Sequence, residues 1–401
     1  MDLLSTTKFK VLILVGLTLL SSFLLLFKLH EQPLQRWDEQ TNLDVISRSA
    51  AVDDWWNLRL NNGYFWEKPP LYYYAGIAAY KFSQVLNLDP VLTLRLLTIV
   101  PALILVLLIY LFCRHKYGQK AALLSVGVLL SAPALWLMNP QGIFASHNLR
   151  SLDSDTLQLL MILSGYILYD ALSNRAHDQQ YRSRNKLERR LMLLLIGISV
   201  VSGLGFMFKG LFGLLPIIIV IAGFVVKFLR RQESVKQLTA KLAYLLLPAA
   251  LIILPWHVYM LVHFGGDFFN SYFGYHQLAR GFSTLEGHSE PLLFYVQILL
   301  TPLFSGSLIP LLICLVGQFL LTRKLTINLP LVLIGLLMLG LAVMQTKLSW
   351  YSLYLYPFIA LAVASSLRST PKSRGKLTLM LILAVYIFVQ LITIIAGLSS
   401  I

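Results

Sequence analysis

Charge is scarce in this chain: 13% of its 401 residues are Asp, Glu, Lys or Arg, while 57% are apolar. A water-facing globular domain carries about 25% charged residues, so a soluble fold is excluded. Cysteine is almost absent, and Cys113 and Cys314 both lie within apolar runs, giving no disulfide or metal signal. There is no internal repeat and no low-complexity linker. What the chain has instead is a succession of apolar runs of about 20 residues, the length that crosses a hydrocarbon core of roughly 30 Å.

These runs place spans near 9–28, 91–113, 121–138, 154–171, 191–208, 211–228, 241–262, 292–320, 328–345, 351–367 and 377–397. The first is read as a retained anchor, because Lys28-Leu29-His30 follows where a signal peptide would carry small residues. With the N-terminus inside, the loops 114–120, 172–190, 227–241, 322–327 and 368–376 are also inside. With the adjoining span ends, those inner segments hold 22 Lys or Arg against 5 acids, and the outer ones 11 against 13. The net charge of +15 is therefore topological, as the positive-inside rule requires, and no nucleic-acid partner is expected.

Residues 70–87 are apolar enough to cross, but counting them would invert every later loop. Lys81 and the tyrosines at 72–74 suit a non-spanning interfacial helix. The expectation is an all-α polytopic membrane protein of about 11 transmembrane helices, with interfacial helices in the first outer loop. It forms one membrane-embedded domain over 1–401, with outer loops at about 29–90 and 263–291 and no soluble C-terminal domain.

Few charges remain at the outer border: Asp38, Glu39, Lys68, Arg95, Arg150, Asp153, Asp155, Lys209, Arg280 and Lys347. Lys209 sits between two apolar runs with no acidic neighbour in sequence, so it needs a partner, water or a ligand. A snorkelling interface lysine is the plainer alternative. Lys347 is similar, in a short turn. Asp38-Glu39 by itself reads as a solvated loop pair. Asp153 and Asp155 stand two apart at the start of a span, where a helix turns them to different faces, so one of them suits an N-terminal cap. Taken together on one membrane face, the set becomes specific.

Trp37-Asp38-Glu39, Ile46-Ser47-Arg48, Asp54-Trp55 and Glu67-Lys68-Pro69-Pro70 resemble the first outer loop of the GT-C glycosyltransferases. Within that superfamily the resemblance is to the aminoarabinose lipid A transferases and protein O-mannosyltransferases. It continues through Asp153, Gly205-Phe206-Met207-Phe208-Lys209-Gly210, Leu254-Pro255-Trp256, His276 to Arg280-Gly281-Phe282, His288 with Pro291, and Thr346-Lys347-Leu348 with Tyr351. The chain departs from the lipid A enzymes at Gln40-Thr41-Asn42, where Tyr or Arg is usual, and at Ile309-Pro310 in place of Pro-Trp.

The resemblance implies transfer of a sugar, hexosyl or pentosyl, from a polyprenyl-monophosphate carrier. The acceptor is a glycolipid, polysaccharide or protein on the outer face, most simply the periplasmic face of a bacterial inner membrane. The leaving phosphate departs as an anion, so cations are needed more than a general acid. Lys68, Lys209, Arg280 and Lys347 are the phosphate-binding candidates. Asp38 is the candidate base, with Glu39 and Asp153 as alternates. Arg95, Asp155, Trp66, His276, His288 and Tyr351 are assigned to substrate binding. Attack opposite the phosphate predicts inversion at the anomeric carbon.

The outer aromatics Trp37, Trp55, Trp56, Tyr64, Phe65 and Trp66 suit sugar stacking, lipid entry or an interfacial belt. Asp38 with Asp153 offers oxygen ligands for Mg2+ or Mn2+. A monophosphate has little charge to neutralise, so no obligate metal is expected. Two other readings remain at this stage. One is a transporter or flippase of lipid-linked saccharide, which should show repeat symmetry and broken helices. The other is a polymerase or ligase using a diphosphate-linked glycan.

Overall fold

The computed structural model describes residues 7–35, 37–52, 54, 56–137, 147–173, 184–232, 234–285, 287, 289–302 and 305–399. In chain order the helices begin with α1 (Thr7–Leu26), α2 (Asp38–Ala50), α3 (Leu71–Val85), α4 (Pro90–Tyr117) and α5 (Gln119–Leu130). They continue with α6 (Asp155–Ser173), α7 (Arg184–Lys209), α8 (Leu215–Leu229), α9 (Val235–Phe268) and the single turn α10 (Arg280–Phe282). The last five are α11 (Phe294–Leu300), α12 (Leu308–Thr322), α13 (Leu329–Val343), α14 (Tyr356–Ser369) and α15 (Arg374–Ser399). The described strands are the two of a small antiparallel hairpin, Arg59–Leu60 and Gly63–Tyr64. The protein is an all-α polytopic membrane protein.

Among the described residues, eight helical segments are long and apolar enough to cross a membrane, and three shorter apolar helices (α5, α12, α13) accompany them. The differences from the expected spans have local causes. The run 292–320 divides into α11 and α12, because Pro302 withholds an N–H and Gly306 turns the chain at φ 58°. The run 121–138 stops at Leu130, followed by a one-turn 3-10 helix that starts at Pro133. The outer loop expected at 263–291 is helical for most of its length. The chain kinks at Gly265 (φ 52°), winds a π-helix over Phe269–Ala279 and ends in α10. Residues 71–85 form a helix about 22 Å long, shorter than the hydrocarbon core.

The chain divides into two compact units, each assembled from separated segments. Unit 1 comprises 1–40, 91–153 and 280–401. Its centre is α14, with α5, α12 and α13 packed against it. The α14 sequence makes this position available: Ala360, Ala362, Ala364, Ser365 and Ser366 are small, and they let neighbouring backbones approach. Hydroxyls fasten the contacts. Ser125 Oγ donates to Ala360 O at 2.6 Å, and Asn328 Nδ2 donates to Ser365 Oγ at 2.9 Å.

Unit 2 comprises 41–90 and 154–279, with α7 at its centre against α3, α6, α8 and α9. Here glycine sets the closest approach. A Cβ on Gly213 would lie 2.2 Å from the Gly205 carbonyl carbon, so only glycine fits. Gln158 Nε2 then donates to both Gly205 O and Gly210 O, at 3.0 and 2.9 Å, fixing the turn after α7. The long helix α9 starts in a capping box between Ser234 and Gln237.

Candidate active site

The acidic pair opens α2, preceded by Trp37 in the left-handed region at φ 69°. Both carboxylates therefore sit in a helix first turn, where the unbonded N–H groups favour negative charge. Their surroundings differ completely. The Glu39 side chain is fully buried, and Arg95 grips it with two parallel bonds, Nε to Oε1 at 3.0 Å and Nη2 to Oε2 at 2.9 Å. Backbone N–H groups of Gln35 and Leu152 add bonds at 2.9 and 2.7 Å.

Arg95 is equally committed. Besides Glu39, it donates to Leu29 O, Gln32 O and Pro33 O at 2.9–3.1 Å. A guanidinium has five N–H donors, and all five are taken. The pair binds together the α1–α2 connection, α4 and the segment before α6. Glu39, an alternate base in the sequence reading, and Arg95, there assigned to substrate binding, form a clamp in this geometry.

Asp38, next along the helix, remains 23% exposed and faces His147, with Nε2 2.8 Å from Asp38 Oδ2. The other ring nitrogen, Nδ1, lies 3.7 Å from Asp153 Oδ2. The ring thus bridges two acids from separate stretches of chain. Its plane is held by Trp350, stacked at 4.3 Å and 12°. Asp153 is buried, with its carbonyl accepting from Thr98 Oγ1 at 3.1 Å.

His147 escaped the sequence reading. Its only signal is a histidine six residues before Asp153 in an outer loop, and a lone histidine there carries no meaning until the ring is seen between two carboxylates. Asp38, His147 and Asp153 together present oxygen and imidazole nitrogen donors. The acids face different nitrogens of the ring, so a divalent ion of mixed-ligand taste, Mn2+ or Zn2+ more than Mg2+, would take imidazole nitrogen with only one of them.

Two further cations of unit 1 lie near this centre in sequence. Arg150 is fully buried, and donates from Nη2 to Phe27 O at 2.5 Å. Its Nε and Nη1 have no hydrogen-bond partner among the described residues. Burial, and then the charge of Arg95, push its pKa down to about 10. Lys347 is 8% exposed and donates to Met344 O at 2.8 Å. It belongs to the turn that presents Trp350, and Tyr351 is the next residue, also buried. Arg280 opens α10, but its side chain is outside the described residues, as are His288, Trp55 and Arg36.

In unit 2, Lys209 at the C-terminal end of α7 forms an ion pair with Asp155 at the N-terminal end of α6. The acid is 1% exposed and the ammonium 15%. The partner that the sequence could not supply nearby thus comes from 54 residues earlier. Both charges sit at favourable helix ends only for Asp155 at an N-terminus and Lys209 at a C-terminus, which is how they are arranged. Trp66 joins an aromatic cluster, stacked on Tyr64 at 5.8 Å and against Phe264 at 5.1 Å. Lys68 follows in the turn leading to α3, and His276 lies on the π-helix beside Tyr275 at 4.9 Å.

Solved structures share this architecture. ArnT from Cupriavidus metallidurans bound to undecaprenyl phosphate matches at TM-score 0.62 and 19% identity, covering 90% of this chain and 60% of that one. The Archaeoglobus fulgidus oligosaccharyltransferase in complex with Zn and sulfate matches at TM-score 0.60 and 15% identity, covering 96% and 53%. The same enzyme tethered to an acceptor peptide matches at 0.57 and 14% identity, covering 99% and 56%. The chain has the GT-C fold. It spans little more than half the length of these GT-C proteins. No protein-family profile and no curated protein sequence matches it.

Proposed function

We propose that this GT-C chain is an inverting glycosyltransferase that moves a sugar from a polyprenyl-monophosphate carrier to an acceptor on the outer face of the membrane. The observation that carries the reading is the contrast between adjacent acids. Glu39 is locked in a saturated clamp, and that clamp leaves Asp38 partly exposed and oriented by His147. A carboxylate that stays 23% exposed beside an imidazole is suited to take a proton. The fold adds to this, since the ArnT structure holds undecaprenyl phosphate.

In the reaction, the acceptor oxygen attacks the anomeric carbon as its proton passes to Asp38. The bond from that carbon to the phosphate oxygen breaks, and polyprenyl monophosphate leaves with the electron pair. Such a base contributes about 10²–10⁴-fold in rate. His147 is a positioning residue: it holds the Asp38 carboxylate and ties it to Asp153. Lys68 and Lys209 of unit 2, and Arg280 and Lys347 of unit 1, are each proposed as phosphate-binding candidates. Lys209 keeps two of its three N–H donors beyond the one given to Asp155. A divalent ion, where bound, would be held by His147 with Asp153 and would supply positive charge, leaving Asp38 as the base.

The test is a purified full chain in lipid vesicles, supplied with radiolabelled sugars on polyprenyl monophosphate or diphosphate. Sugar-dependent release of polyprenyl phosphate from the monophosphate donor supports the reading. Turnover of the diphosphate donor alone contradicts it. The acceptor and sugar are found by mass spectrometry of envelope glycans from a strain lacking the chain.

A further inference from the structure

After Glu290 the chain contains no acidic residue at all, to its end at Ile401. Within that stretch Arg323 and Lys324 follow α12, and Arg368, Lys372, Arg374 and Lys376 surround the start of α15. Both groups belong to unit 1, in which α12 and α15 pack against each other. Arg323, Lys324, Lys372 and Arg374 are exposed. Their counter-charge must come from outside this part of the chain.

Beside these cations lies a groove of about 570 Å³ between α12 and α15. It runs from Leu321 and Gly375 at the cationic end to Leu312 and Ile382, about 14 Å along α12. Its lining is almost wholly apolar, with Thr378 the one hydroxyl. Glycine maintains its floor: a Cβ on Gly375 would meet Leu321 Cδ2 at 2.4 Å, and one on Gly317 would meet Leu379 Cδ1 at 2.9 Å. The N-terminus of the 26-residue helix α15 opens at the same rim, adding its positive end to the side-chain charges.

We propose that this groove binds an anionic glycerophospholipid of the leaflet on the basic side of the membrane. An acyl chain lies along Leu312–Leu321 and Gly375–Ile382, and the headgroup phosphate meets Arg323, Lys324, Lys372 and Arg374. The apolar trench explains a chain, and the unneutralised rim explains the negative charge. A zwitterionic lipid satisfies only the first. Basic rims on apolar grooves between transmembrane helices are suited to such headgroups. The site does not depend on the transferase reading.

The test is native mass spectrometry of the full chain titrated with dioleoylphosphatidylglycerol, dioleoylphosphatidylcholine and undecaprenyl phosphate. Phosphatidylglycerol should bind in preference to phosphatidylcholine. The double variant Arg323→Gln/Arg374→Gln should weaken it roughly 30-fold, as expected for loss of two headgroup cations. Ile382→Trp, which fills the trench and leaves the cations in place, should also reduce binding. Arg189→Gln/Arg190→Gln, at the basic end of α7, should leave it unchanged. Equal binding of the two phospholipids, or no effect of the Arg323/Arg374 variant, overturns the proposal. So does undecaprenyl phosphate displacing phosphatidylglycerol at equal or lower concentration, which would assign the groove to that lipid.

Discussion

The His147 Nε2 atom lies 2.8 Å from Asp38 Oδ2, and the same ring reaches to 3.7 Å from Asp153 Oδ2 while stacking on Trp350. These acids are 115 positions apart in sequence, and a single imidazole connects them. If the connection orients the base, His147→Ala should lower kcat by about 10–100-fold, less than the loss of the base itself. KM for the donor should hardly change, and His147→Gln should recover part of the rate. A variant that loses donor affinity at unchanged kcat would instead place His147 in substrate binding.

Breaking the clamp should damage the fold before the chemistry. Glu39→Gln leaves the Arg95 guanidinium buried without its anion, which costs about 3–5 kcal/mol for a pair of this kind. The double variant Glu39→Gln/Arg95→Met removes the stranded charge and should recover part of that loss. Thermal unfolding in detergent reads both. Equal stability of Glu39→Gln and the parent chain would contradict the clamp.

Arg150 predicts the opposite behaviour. It is as buried as Arg95, yet two of its nitrogens lack hydrogen-bond partners among the described residues, and its pKa is already pushed down to about 10. Arg150→Met should therefore be within about 1 kcal/mol of neutral, or stabilising, because a poorly paired buried charge adds little. The same melting assay checks it, and a loss as large as that of Glu39→Gln would show an unrecognised anion at Arg150.

Close backbone approach in unit 2 gives a steric prediction. Gly213→Ala places a Cβ 2.2 Å from the Gly205 carbonyl carbon, backbone that cannot swing aside. A loss of about 1–3 kcal/mol or more is expected, as for overpacked cores. Gly335→Ala, where no atom lies within 4 Å of the added carbon, is the matched control and should be silent.

Much of the architecture was legible because apolar run length and the inside excess of Lys and Arg are local properties. The breaks were not. Pro302 and Gly306 divide one long run into α11 and α12, and the kink at Gly265 leads into a π-helix where an outer loop was expected. Run length alone does not record such interruptions. At the site, sparse charges gave candidates but not their surroundings. Asp38 and Glu39 are equivalent letters in sequence; burial and Arg95 separate them. Lys209 looked unpaired because its partner Asp155 is distant along the chain. His147 had no sequence signal beyond its nearness to Asp153, since its meaning arises only from the two carboxylates and the indole that the fold brings to it.

The most direct test of the account is donor turnover by Asp38→Asn, measured beside binding of undecaprenyl phosphate to the same preparation. The account predicts a fall in turnover of about 10²-fold or more, with affinity for the lipid phosphate retained. Turnover equal to that of the parent chain would contradict Asp38 as the base and remove the proposed mechanism.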